Sequence, residues 1–264
     1  MAESDGAARV ALVTGAARGI GKGIALRLAT DGLDVAVNDI EAKSGELEGV
    51  AEEIRDTGRR TFAVTADVSK PEEVERMVRR VADELGQLNV MVANAGIAQV
   101  IPLLDLTPED WDRMMAINLR GVFLCYQAAA KQMIEQGSGG KIIGAASIAA
   151  HKGIALLGHY SASKWAVRGL TQAAAQEWAE YGITVNAYCP GIVDTSMWEL
   201  IDEQMGGQMG LEKGEAIKQF SELIALGRVE TPEDVAAFVS YLASKDSDYM
   251  TGQSVMIDGG ILFS

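Results

Sequence analysis

Short β-branched runs alternate with longer segments of helical period along almost the whole chain, and that alternation leaves few folds open. Runs at 10–14, 35–39, 61–65, 88–93, 141–146, 183–189 and 254–257 read as strands. Segments at 19–29, about 41–57, 71–86, 107–135 and 157–181, and one opening at Thr231, read as helices. Repeated strand–helix–strand units close into a parallel sheet with helices on both faces. The expected fold is therefore α/β, a doubly wound parallel sheet of about seven strands. At 264 residues the chain fits one such domain, since α/β folds run to about 250 residues around a single sheet.

Helix starts are marked by chemistry as well as period. Thr107-Pro108-Glu109-Asp110 and Thr231-Pro232-Glu233-Asp234 each offer a capping hydroxyl, a proline in the first turn and acids behind it. Ser69 is the expected N-cap of the helix that Pro71 opens. The segment 196–226, rich in Met, Gly, Gln and Glu, stands outside the alternation. A stretch of that length is either a functional lid or a disordered loop, and its place after the sixth strand favours the lid.

A formal charge of −14 argues against nucleic acid, whose phosphates need cations, and against anionic membranes. No apolar run is long enough to span a bilayer. Residues 1–9 carry Glu3 and Asp5 and lack the basic and apolar regions of a signal peptide, so a cytoplasmic location is expected. Cys125 and Cys189 are isolated, and His151 and His159 have no partners at ligand spacing. No disulfide framework, metal site or Ser-His-Asp arrangement is expected from them.

Three groups of residues carry chemistry. The stretch Thr14-Gly15-Ala16-Ala17-Arg18-Gly19-Ile20-Gly21 follows the first strand and opens the first helix. Glycines there allow a tight turn and close approach of a pyrophosphate to the helix N-terminus, the signature of a Rossmann dinucleotide site. Asp39 ends the second strand, where an acid takes the adenosine ribose hydroxyls and repels a 2′-phosphate. Arg18 pulls towards NADP, but Ile40 supplies no second cation, so NAD is expected. Tyr160 and Lys164, four residues apart, share a helix face. An ammonium beside a phenol lowers its pKa and makes it a usable proton donor or acceptor.

Taken together with Asp67, Asn94-Ala95-Gly96, Asn118, Ser147 and Pro190-Gly191, in this order, these residues make the chain resemble the short-chain dehydrogenase/reductase family. The likeness runs from Arg9 to the closing Ile257-Asp258-Gly259-Gly260, with Ala93 standing where many members have a further Asn. It implies that Tyr160 is the general acid in ketone reduction, that Ser147 binds the substrate oxygen and that Lys164 holds the nicotinamide ribose. It further implies that Asn118 supports a water relay to Lys164. Asp67 and Val68 would meet adenine, Asn94 and Gly96 the ribose side, and Pro190, Gly191, Val193 and Thr195 the nicotinamide. Ala166–Gln172, Ile183–Val193, Met197-Trp198 and Asp248–Gln253 are similar to the acetoin reductase and 2,3-butanediol dehydrogenase group. The implied substrate is a small hydroxyketone, diketone or vicinal diol, with a 3-oxoacyl reductase using NADPH as the alternative. A dinucleotide-binding sensor without turnover is the reading from another class, and retention of Ser147, Tyr160, Lys164 and Asn118 speaks against it. Ile148, Ala149, Leu157, Gly191, Met197 and Trp198 are the expected walls of the substrate pocket, from their positions beside Ser147 and Tyr160 and at the lid's start. The family also implies a homotetramer, with the helices after strands four and five as contact surfaces.

Overall fold

The computed structural model describes residues 8–210, 212 and 214–263. Seven strands run in chain order as β1 (Val10–Thr14), β2 (Asp34–Asp39), β3 (Thr61–Thr65), β4 (Val90–Ala93), β5 (Gly140–Ala145), β6 (Ile183–Pro190) and β7 (Ser254–Ile257). They form one all-parallel sheet in the order β3-β2-β1-β4-β5-β6-β7. The order reverses between β1 and β4, so a crevice opens above the carboxyl ends of these two strands, where ligands bind in open α/β sheets.

Successive side chains of a strand face opposite sides, and both sides here are covered. Val10 and Leu12 of β1 enter one core together with α3 (Pro71–Leu85), α5 (Gly121–Gln136) and α6 (Gly158–Trp178). Ala11 and Val13 enter the other, with α1 (Gly19–Thr30), α2 (Ser44–Asp56) and α9 (Pro232–Ala243). Every β1 residue is buried, which is why its sequence is a continuous apolar run with no polar alternation.

Thr107 and Thr231 cap their helices as expected, each accepting from the backbone N–H three residues on. Asp234 returns the bond to Thr231 and completes a capping box, an arrangement worth about 1 kcal/mol. Ser69 does not cap α3: Lys70 takes that position without a side-chain bond. The cause is local, because Ser69 N is drawn to Asp67 Oδ1 at 2.9 Å while Glu73 reaches back to Asp67 N at 2.7 Å. The long helix at 107–135 is α4 (Pro108–Met115) joined to α5 by a π-helical turn at Ala116–Arg120. The segment 196–226 contains two helices, α7 (Ser196–Met209) and α8 (Glu215–Ser221), and runs on as turns from Glu222. Asp202 ties the two: its carboxylate accepts from Gly214 N at 2.6 Å and Ile217 N at 2.8 Å, serving the start of α8 from inside α7. Among the described residues no helix is long and apolar enough to cross a membrane.

Candidate active site

A cavity of about 670 Å³ fills the crevice above β1 and β4, a size within the usual range for cofactor and ligand sites. One wall is the start of α1. Arg18 is its N-cap in an extended conformation with no side-chain bond to the helix, so the first-turn N–H groups are left for a ligand. Gly15, Arg18, Gly19, Ile20 and Gly21 all line the cavity. The floor is packed so tightly that a Cβ on Gly21 would stand 2.6 Å from Asn94 Nδ2 and collide with the Gly15 carbonyl.

The adenosine end expected from the sequence lies at the tip of β2. Asp39, Asp67 and Val68 reach the cavity there. The Asp39 carboxylate is oriented by two backbone donors, Ala17 N at 3.1 Å and Ile40 N at 2.9 Å. Arg18 also lines this end, and so does Lys43, whose ammonium bonds Glu46 at 2.6 Å. The expectation that no second cation stands near Asp39 is thus corrected. Ile40 is apolar, but the 3-10 turn at Glu41–Lys43 swings Lys43 back to the rim. Across the lining, Arg18, Lys43, Arg113 and Lys164 outnumber Asp39 and Asp67. A chain of net charge −14 therefore presents a cationic cleft, which concentrates anions.

Asn94 lines the cavity, yet its side chain is committed inward. Nδ2 donates to Thr14 O at 2.8 Å and Gly15 O at 3.2 Å, and Oδ1 accepts from Tyr188 Oη at 2.8 Å. These bonds tie the tips of β1, β4 and β6 together beneath the glycines and use both Nδ2 hydrogens and one Oδ1 lone pair. Asn118 is likewise fully buried in the π-helical turn and does not reach the cavity wall. Its amide accepts from Ile97 N and donates to Ile97 O, both at 2.9 Å. A Cβ on Gly96 would lie 3.4 Å from Asn118 Oδ1 and 3.7 Å from Lys164 Nζ, so Gly96 fills the gap between them.

The other end of the cavity gathers Ser147, Tyr160 and Lys164. Ser147 follows β5 and its Oγ accepts from Ala149 N at 3.1 Å, which leaves the hydroxyl proton available to donate. It caps the 3-10 turn at Ile148–Ala150 and faces the cavity at once. Tyr160 and Lys164 sit in the first two turns of α6. That helix is launched from Leu156, whose φ of +65° is a conformation bulky residues rarely adopt; Ile101 N holds its carbonyl at 2.8 Å. Lys164 Nζ donates to Ala145 O at 2.8 Å and lies 5.5 Å from the Tyr160 ring centre.

The electrostatics differ from the expectation for Tyr160. Burial pushes its phenol up, with the Ser147 hydroxyl acting in the other direction. Burial also pulls Lys164 down to about 8. The deep setting opposes charge on either group and leads for both. In the neutral range Lys164 is then charged and Tyr160 protonated, a pair able to give a proton to an oxygen beside Ser147.

Three expected pocket residues do line the cavity: Gly191, Met197 and Trp198. Ile148, Ala149 and Leu157 do not. The 3-10 turn carries Ile148 and Ala149 into the interior, and Leu157 packs with Val100, Ile201 and Met205 under the lid. Trp198 meets Phe220 of α8 edge-on, with ring centres 6.2 Å apart, so it both walls the cavity and joins the lid helices. Pro190, Val193 and Thr195 line the same end. Sequence reasoning missed Lys43, Gln99, Arg113, Tyr188 and Gln204, which the cavity also includes. Of these, Gln99 is held from two sides: its Nε2 donates to Asp110 at 2.9 Å and its Oε1 meets His159 Nε2 at 3.2 Å.

These features fit a nicotinamide dinucleotide: an uncapped helix start, glycines that admit backbone-close phosphates, an acid at the β2 tip, and a proton-donating group at the far end. The comparisons agree. A family described as enoyl-(acyl carrier protein) reductase matches residues 15–262. A diacetyl reductase [(S)-acetoin forming] of Staphylococcus epidermidis is 49% identical, over 97% of this chain and 99% of that one. An L-2,3-butanediol dehydrogenase of Corynebacterium glutamicum is 47% identical, again over 97% and 99%. The crystal structure of acetoin dehydrogenase YohF from Salmonella typhimurium superposes with a TM-score of 0.84 at 32% identity, covering 96% of each chain. Identity near one half over nearly the whole chain, on a fold with this cleft, is inheritance: the chain belongs to the short-chain dehydrogenase/reductase family and is an oxidoreductase that interconverts CH–OH and carbonyl groups.

Proposed function

We propose that the protein is an NAD(H)-dependent reductase of small hydroxyketones and diketones, working in reverse on vicinal diols. The observation that carries this reading is one cationic cavity with Asp39 held at one end and Ser147, Tyr160 and Lys164 at the other. The printed names of two relatives, a diacetyl reductase and a butanediol dehydrogenase, support the substrate class.

When bound, the nicotinamide ring supplies or accepts the hydride. Ser147, whose oxygen accepts from Ala149 N–H, donates its hydroxyl proton to the carbonyl oxygen and orients it. Tyr160 gives the proton that the developing alkoxide needs, and takes it back in oxidation. Lys164 keeps a positive charge beside that proton and binds the ribose hydroxyls. Asn118 acts through Ile97, fixing the turn next to Gly96 and Lys164. Gly15, Gly19, Ile20 and Gly21 hold the pyrophosphate, Asp67 and Val68 the adenine, and Pro190, Gly191, Val193 and Thr195 the nicotinamide side. Met197 and Trp198 exclude water above the reacting carbon. Gln99 uses one of its two N–H groups on Asp110 and keeps a second for the neighbouring oxygen of a hydroxyketone.

The 3-oxoacyl reductase reading, with NADPH, gains from Arg18 and Lys43 at the cavity rim. Initial rates with diacetyl, acetoin and a 3-oxoacyl thioester, each with NADH and NADPH, decide between the two. Faster turnover of the thioester with NADPH rules out the small-ketone reading.

Cofactor choice rests on Asp39. A 2′-phosphate there would face a carboxylate already fixed by two backbone donors, so Asp39→Ala is expected to raise the Kd for NADH and lower that for NADPH, each by about tenfold, the scale of one charge-assisted contact. Fluorescence titration with both dinucleotides measures this, and a wild type that already binds NADPH as tightly as NADH would remove Asp39 as the determinant. For the lid, Trp198→Ala is expected to raise KM for acetoin about tenfold through lost apolar contact and to loosen stereoselectivity. A fall in Tm with unchanged KM and product chirality would instead make Trp198 only a packing residue.

Two further features complete the reading. The buried free thiols Cys125 and Cys189 suit a reducing cytoplasm. Trp111, Phe123 and Trp165 are exposed on α4, α5 and α6, surfaces we assign to a homotetramer.

A further inference from the structure

The lid leaves the sheet through Ile192–Asp194 and returns at Glu230, and its two roots are stitched together there. Glu230 N donates to Ile192 O at 2.9 Å, Asp194 N donates to Glu230 O at 2.8 Å, and Val193 and Glu230 form a parallel bridge. The side chain of Glu230 goes further into the molecule. Its Oε2 accepts from Gly191 N at 3.1 Å, in the wall of the cavity. Gly191 has no slack behind it: a Cβ there would stand 3.0 Å from both Cα and Cβ of Asp258. Glu230 thus joins the lid roots through its backbone and the cleft wall through its carboxyl, which shares the Gly191 N–H with Ile257 O at 3.2 Å.

We infer that Glu230 is a positioning residue, holding Gly191 and the two lid roots in one register so that the cleft closes correctly on its dinucleotide. The inference rests on the reading of this cleft as a dinucleotide site, and on no particular substrate.

The charges around Glu230 say in which form it does this. Facing it are Asp234 at the start of α9, Arg228 in the turn before it, and Asp258 beyond β7. Arg228 is the one cation of the set, and it is exposed and engaged two-pronged by Asp234 at 2.6 and 2.8 Å. Asp258 is buried and its carboxylate serves Gly260 N and Leu262 N. Burial, with Asp234 and Asp258 adding to it, pushes the Glu230 acid up to about 8 against the pull of Gly191 N–H and Arg228. Near neutrality Glu230 is therefore an uncharged acid whose oxygen still accepts from Gly191. Above about pH 8 a negative charge appears beside Asp258, and its repulsion works against the stronger bond that a carboxylate would accept from Gly191 N–H.

The sign for stability follows from proton uptake. An acid with its pKa raised on folding binds more protons folded than unfolded, so stability falls as pH rises from the ordinary carboxyl range to about 8. Glu230→Gln keeps the acceptor and removes the charge; Glu230→Ala removes both.

The test measures the Kd for NADH by fluorescence quenching, and the thermal midpoint, for wild type and both variants between pH 5 and 9.5. Glu230→Gln is expected to match wild type at pH 6.5 and to bind NADH about tenfold more tightly at pH 9.5, where wild type alone carries the added charge beside Asp258, a factor equal to about one pKa unit of repulsion. Glu230→Ala is expected to bind about tenfold more weakly than wild type at pH 6.5, the factor for one lost hydrogen bond. The midpoint of Glu230→Gln should decline less than that of wild type between pH 5 and 8. A wild-type to Glu230→Gln ratio of Kd that stays constant with pH, or wild-type affinity in Glu230→Ala, overturns the inference. If wild type binds no NADH the reading of the cleft fails, and the midpoints still decide Glu230: parallel declines overturn its role.

Discussion

Tyr160→Phe is expected to lower turnover by about 10²–10⁴-fold, the contribution of a positioned general acid, with NADH affinity held within about threefold of wild type. The change removes one hydroxyl. It leaves the ring that packs against the lid cluster and the cation–ring contact with Lys164. Single-turnover reduction of diacetyl by NADH, beside a binding titration, separates the two effects. Turnover within about threefold of wild type would move the proton transfer to another group. The wild-type pH profile belongs to the same argument. Lys164 loses its proton around pH 8, and the phenol is held up by burial. Ketone reduction should therefore fall as pH rises through that value, because the donor pair passes out of its charged-lysine, protonated-tyrosine state.

Gly21→Ala is expected to weaken NADH binding by about 5- to 150-fold, from an overpacking cost of about 1–3 kcal/mol at the floor of the cleft. The added methyl would run into the Gly15 carbonyl and stand 2.6 Å from Asn94 Nδ2. Neither can step aside. Asn94 is bonded to Thr14, Gly15 and Tyr188, and Gly15 itself is backed by Ala95, whose Cα a Cβ there would approach to 2.8 Å. The affordable relaxation is an outward shift of α1, which withdraws its N–H groups from the phosphates. Isothermal titration with NADH measures the loss, and circular dichroism shows whether the fold has survived. Wild-type affinity in a folded Gly21→Ala would mean that the phosphates lie elsewhere in the cleft.

Much of this architecture was legible in local pattern. The strand at 10–14 and the helix capped by Thr231 stand where period and capping chemistry put them, within a residue. Both are set by residues adjacent in sequence. Where a competing partner was itself close in sequence, the reading failed, as at Ser69, whose N–H is drawn to Asp67 so that Lys70 takes the cap position. The site was legible to a lesser degree. Gly15 to Gly21, Asp39, Ser147, Tyr160 and Lys164 surround one cavity, as their order in the chain suggested. Asn94 and Asn118 carried a motif but not a direction. Each amide turns away to bind backbone carbonyls or amides whose positions depend on neighbouring strands and turns.

The sequence by itself determined the parallel α/β sheet, the glycine-lined helix start and the spacing that sets Lys164 one turn beyond Tyr160. These follow from periods of two and 3.6 and from the reach of one turn, all short-range properties of the chain. Only the tertiary structure decided what surrounds those groups. It brought Lys43 back to the rim, turned Ile148, Ala149 and Leu157 away from the cavity, and enclosed half-buried Tyr160 and buried Lys164 and Glu230 deeply enough to move their proton affinities. Burial depends on which distant segments close over a residue. Glu230 stands 39 residues beyond the Gly191 it holds, and no period or local motif records such a contact; the packed fold alone creates it.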